Sequence, residues 1–203
     1  MIRHPILRKH LVPLALYAFI ITAILVMKFF IPWQYVTSVS ALLMLSVPYV
    51  LRTETSGLRW DARGVIVGIV VSLILLLVYT AVISLYGHYT DKSLVVHKLS
   101  YSFILTQLFL VALPEEVFFR GYLQEKLGNT IRGVIVVSLL FALGHFITLC
   151  LGGGHGLSLC VQSLLTFFPS LVMGYLYLYT GTLWAGIIFH FLANIVHIAL
   201  VLS

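Results

Sequence analysis

Apolar stretches of about bilayer length fill this chain almost end to end, and 203 residues with 61% hydrophobic and 9% charged side chains cannot hide them inside a soluble core. Each stretch is long enough, or nearly so, to cross a hydrocarbon layer of about 30 Å as a helix. The expected spans are Leu11–Phe30, Tyr35–Leu51, Gly64–Tyr86, Tyr101–Leu123, Ile131–Leu149, Leu159–Tyr179 and Leu183–Leu202. The second is short and contains Pro48, so it also fits a re-entrant or interfacial segment. No small-residue cleavage site follows the first run, which therefore reads as a retained signal anchor. The expected fold is an all-α, multi-pass transmembrane helical bundle of six to eight helices, with any active site inside the membrane. With no low-complexity tract, long linker or internal repeat, residues 1–203 read as one integral membrane domain. Its N-terminal helices occupy 1–100 and its polar, motif-bearing core 101–203.

Basic residues set the expected orientation. Seven spans with a cytoplasmic N-terminus put Arg3, Arg8, Lys9, Arg52, Arg59, Arg63, Lys126 and Arg132 inside, and Lys92 and Lys98 outside. The same bias accounts for the net charge of +6 through anionic headgroups, with no nucleic acid as partner. Little chain lies outside the bilayer, which suggests a prokaryotic plasma membrane. Cys150 and Cys160 flank the loop Leu151–Leu159, on the outer side of this topology. A disulfide is chemically permitted there, but the preferred expectation is two free cysteines acting as small apolar fillers at helix ends.

Ionisable groups inside a bilayer cost at least about 2.5 kcal/mol each, so the few present need reasons. Glu116 and Arg120 are four apart on the fourth span, acid first, the favourable direction for an ion pair on one helical face. Glu115 is turned about 100° away and needs another partner. Pro114 just before the pair lacks an amide hydrogen and frees backbone carbonyls. Counting about 1.5 Å per residue puts Glu115, His145 and His190 at depths of about 12 to 21 Å, compatible with one shared chamber. His190, Asn194 and His197 recur at i, i+4 and i+7, a polar stripe that should face the bundle interior. Singly, each such residue also fits a helix-to-helix hydrogen bond, and His197 fits that structural role best.

Three patterns in order, Glu115-Glu116-Val117-Phe118-Phe119-Arg120, Phe141 to His145 and His190 to Asn194, resemble the motifs of the CAAX protease and bacteriocin-processing family (CPBP, or Abi). The resemblance covers Tyr101 to the C-terminus; the first hundred residues fit without identifying it. It implies a glutamic-type intramembrane endopeptidase without cofactor. Glu115 and His145 are implied to activate water, His190 and Asn194 to stabilise the oxyanion, and Glu116 and Arg120 to support the site. The implied substrate is a membrane-anchored or hydrophobic protein or peptide, lipidated or bearing a C-terminal sorting tail. A zinc metalloprotease using Glu115, His145 and His190 is an alternative, although no His-Glu-x-x-His arrangement is present. A non-catalytic bacteriocin-immunity or transport protein is another, although paired broken helices are absent from corresponding halves.

Overall fold

The computed structural model describes residues 5–50, 56–152 and 156–203. Its helices are α1 (Pro5–Phe30), α2 (Trp33–Val50), α3 (Ala62–Tyr89), α4 (Tyr101–Leu127), α5 (Ile131–Leu151), α6 (Leu157–Thr180) and α7 (Leu183–Ala199). From His10 in α1, and in α3, α4, α5 and α6, the helices are long and apolar enough to cross a membrane, while α2 and α7 contribute shorter apolar stretches. The chain is a multi-pass helical membrane protein. Predicted helix bounds agree with observed ones to within a few residues, although Leu51 lies outside the described residues.

Side-chain caps explain several starting points. Asp61, Ser100, Thr130 and Thr182 accept hydrogen bonds from the first free amides of α3, α4, α5 and α7. Contacts at the two ends of the bundle show that α1 and α5 run the same way, as do α3 and α7. At one end Lys28 Nζ donates to the Thr148 carbonyl at 2.7 Å, joining the ends of α1 and α5. At the other, Thr182 Oγ1 and Trp184 Nε1 donate to the carbonyls of Gly57 and Leu58, both at 3.2 Å. The short α2 is one continuous helix packed against α1 and the centre of α4.

Two expectations are corrected. The last helix stops at Ala199, and Leu200–Leu202 forms a strand, β2, antiparallel to β1 (Leu94–Val96) with Val95 opposite Val201. The extended α3–α4 connection offers a free edge at that end, and pairing satisfies backbone groups that a frayed helix end would leave open. Cys150 and Cys160 are bonded to each other and are not free fillers. The last turn of α5 and the first of α6 lie side by side with Cα atoms 4.7 Å apart, within disulfide reach. Residues 153–155 of the intervening glycine-rich loop lie outside the described residues.

An extensive helix-to-helix interface joins α3 to α7. Only Gly64, Gly68, Ser72 and Gly87 of α3 are buried, and the first three recur every four residues on one face. A Cβ on Gly68 would come within 2.8 Å of the Ala185 carbonyl oxygen, so glycine is what allows the two backbones to meet.

Candidate active site

The site is built on α4, α5, α6 and α7. Within α4 an α-helical turn, Leu113–Phe118, carries both glutamates and is flanked by π-helical turns at Gln107–Ala112 and Phe119–Gln124. Pro114 cannot donate a backbone hydrogen bond, and wider turns of this kind accommodate the missing link while rephasing the side chains. A third π-helical stretch, Phe146–Leu151, begins immediately after His145.

Glu116 and Arg120 pair as expected. Arg120 Nη1 donates to Glu116 Oε1 at 2.9 Å, and both side chains are fully buried. Nη2 donates to the Ser170 carbonyl at 2.9 Å and to its hydroxyl at 2.6 Å, while the guanidinium lies 5.0 Å from the Phe141 ring centre. The structure adds a third member: His190 Nδ1–H donates to the same Glu116 Oε1 at 3.1 Å. Glu115 approaches the opposite edge of that imidazole, its Oε2 lying 3.8 Å from Nε2, beyond hydrogen-bond range but close for a charge. His190 therefore sits between the two carboxylates.

The expected pairing of Glu115 with His145 is not direct. His145 Nδ1–H donates to the Phe141 carbonyl at 3.0 Å, which leaves its Nε2 as a lone-pair acceptor. His145 nevertheless joins the glutamate's surroundings through two cavities of about 460 Å³ each. The first runs among α3, α5, α6 and α7 and is lined by His145, His190, Asn194 and His197 within an otherwise mainly apolar wall. The second runs among α1, α2, α4 and α5 and is lined by Glu115, His145 and Gln107. Val111 and His145 belong to both walls, so the cavities meet there. Of the stripe on α7, His190 is buried and Asn194 half-buried, whereas His197 is exposed and bonds to Tyr79 Oη at 2.7 Å, away from the carboxylates.

Exposure separates the two acids: the Glu115 side chain is 17% exposed and Glu116 0%. Among the described residues, Glu115 Oε2, Glu116 Oε2 and Arg120 Nε have no hydrogen-bond partner. Among the described residues, no group of three or more His, Cys, Asp or Glu side chains is placed to hold a metal ion.

Sequence reasoning missed three contributors. Gln107 Oε1 accepts from Asn194 Nδ2 at 3.1 Å, fixing the amide from a position eight residues before Glu115. Ser170 anchors Arg120 across fifty residues, a pairing without local signal. Gly186 lies under Glu116, where a Cβ would come within 2.7 Å of Oε2. Its place four residues before His190, on the same helical face, was the available clue.

No curated protein and no solved structure matches this chain. Residues 97–196 match the family model described as "Type II CAAX prenyl endopeptidase Rce1-like", a span that contains Glu115, Glu116, Arg120, His145, Ser170, His190 and Asn194. The matched domain, residues 97–196, belongs to the CPBP family.

Proposed function

We propose that this protein is a glutamic-type intramembrane endopeptidase that hydrolyses a peptide bond near the membrane-anchored end of its substrate. The family description points to a prenylated protein as that substrate. The observation that carries the reading is the unequal carboxylate pair: Glu116 is sealed against Arg120 and His190, while Glu115 keeps a partly exposed carboxylate on a cavity wall shared with His145.

Glu115 acts as the base that takes a proton from water as its oxygen adds to the scissile carbonyl, and His145 Nε2 shares this proton traffic. The tetrahedral oxyanion is stabilised by the free amide hydrogen of Asn194 and by His190 when its Nε2 is protonated, in a chamber where few waters compete. Collapse of the intermediate breaks the C–N bond, and the proton held by Glu115 passes to the leaving nitrogen. Glu116 and Arg120 hold His190 in place. No step requires a metal. The bias of basic residues supports a cytoplasmic N-terminus and fits a prokaryotic plasma membrane.

The test is cleavage of an S-farnesylated CAAX peptide by purified protein in proteoliposomes. Glu115→Gln and His145→Ala are each expected to lower kcat by on the order of a hundredfold or more while unfolding at the wild-type temperature. Wild-type turnover by either variant removes that residue from the chemistry.

A further inference from the structure

Among the described residues, Lys28 is the one lysine or arginine on the wall of the second cavity, the cavity that also holds Glu115. A lysine near a helix end in a membrane ordinarily extends its ammonium outward to the headgroups. Lys28 instead turns onto α5, its Nζ 2.7 Å from the Thr148 carbonyl oxygen. Among the described residues it has no carboxylate partner within ion-pair distance, and one carbonyl uses only one of its three N–H donors. The result is a half-buried cation with open donors on the wall of the cavity that the proposed catalytic acid also lines.

Distance along α5 gives this cation a meaning. Thr148 follows His145 by three residues, about 4 to 5 Å along the helix axis. An extended peptide advances about 3.4 Å per residue, so a tail of up to three residues leaving a bond held at Glu115 and His145 can reach the ammonium. The first cavity, on the other side of His145, has a mainly apolar wall and no comparable cation among its lining residues, which suits the lipid-anchored side of the bond. The two cavities therefore give the substrate a direction.

We propose that Lys28 is the docking group for the free C-terminal carboxylate of the short tail that the enzyme removes. This rests on the endopeptidase function proposed above, and it adds a requirement that the reaction itself does not impose: the cleaved tail must end in an ionised carboxylate. Binding is a charge-assisted hydrogen bond from Nζ, with the Thr148 carbonyl holding the ammonium in place beforehand. Glu115 lines the same cavity, so an incoming carboxylate is favoured only at the Lys28 end.

The probe is a fluorescent peptide with S-farnesylcysteine fourth from its C-terminus, prepared as the free acid and as the carboxamide. Binding is measured in the Glu115→Gln background, where cleavage does not interfere, and turnover separately on the wild-type background. The acid form is expected to bind on the order of tenfold more tightly than the amide. Lys28→Met should reduce that preference to less than about twofold, and Lys28→Arg should retain most of it. In turnover the Lys28→Met change should appear as a raised KM for the acid peptide, with kcat and the amide kinetics unchanged. Equal binding of acid and amide by the Lys28-containing protein, or an acid preference that survives Lys28→Met, overturns the assignment. Failure of wild type to cleave either peptide while the acid preference persists would instead refute the protease chemistry and leave the docking site standing.

Discussion

Helices α3 and α4 cross the same bilayer by opposite means. α3 is the more apolar of the two, yet only 11% of its most apolar window is buried, against 33% for α4 and 44% for α5. Along α4, Glu116, Arg120 and Gln124 are fully buried, whereas Leu73, Leu77 and Leu85 of α3 stand more than half exposed. Lipid solvates a leucine as well as protein does, so apolar side chains gain little by turning inward; polar groups have nowhere else to go. Between α3 and α4 burial tracks polarity, and the interior is where chemistry can be held dry.

The largest effect should come from separating the charges of α4. Arg120→Met leaves Glu116 buried with only His190 as a partner, and loss of one member of a buried pair costs about 3 to 5 kcal/mol. Thermal unfolding in detergent should show a large loss, together with abolished cleavage. Combining it with Glu116→Gln should restore much of the stability without restoring cleavage, because the uncompensated charge is gone while His190 has lost its anionic partner. If Arg120→Met alone unfolds like wild type, the contrast between the two helices is not electrostatic.

Next in size is Gly186→Ala, which tests position and leaves charge unchanged. The added methyl would lie 2.7 Å from Glu116 Oε2, so the carboxylate must shift, and His190 with it. Misplacement on the order of an ångström can cost about a hundredfold in rate. Cleavage should fall tenfold to a hundredfold, with a small change in unfolding temperature; unchanged turnover would mean that Glu116 does not position His190.

Local periodicity made the helices legible because a long apolar run in membrane has one regular solution, and Glu116–Arg120 was legible because i,i+4 neighbours meet wherever the helix goes. The inward placing of His190 and Asn194 was legible because polar groups in a membrane helix turn toward the interior, whereas His197 of the same stripe is exposed. What escaped was set by packing between helices. Nothing local shows that His190 lies between both carboxylates, that Ser170 reaches Arg120, or that Asn194 meets Gln107. Cys150 and Cys160 were misread because a sequence separation of ten says nothing about whether two helix ends return to one place. Leu200–Leu202 was misread as helix because its strand partner lies about a hundred residues away.

A smaller loss should follow Gly68→Val, which breaks a close backbone approach between α3 and α7. Its Cβ would sit 2.8 Å from the Ala185 carbonyl oxygen, a backbone atom that cannot rotate aside. Overpacking of this kind costs about 1 to 3 kcal/mol. The unfolding temperature should drop, and the spacing between α3 and α7, read by a pair of spin labels, should widen. An unaltered spacing would show that the small-residue stripe is incidental to the α3–α7 contact.

The smallest effect should come from Leu77→Ala, on the lipid-facing side of the same helix. In a soluble core, truncating leucine to alanine costs about 2 to 5 kcal/mol, part of it from the cavity left behind. Leu77 is 70% exposed, so the vacated space is refilled by acyl chains, and the apolar surface stays in an apolar medium. The expected change is within about 0.5 kcal/mol, with cleavage unaltered. A loss of 2 kcal/mol or more at this position would mean that α3 is covered by protein in the membrane, so that its low burial reflects a missing neighbour and says nothing about polarity. The outcome at one leucine therefore separates a helix solvated by lipid from one waiting for a partner.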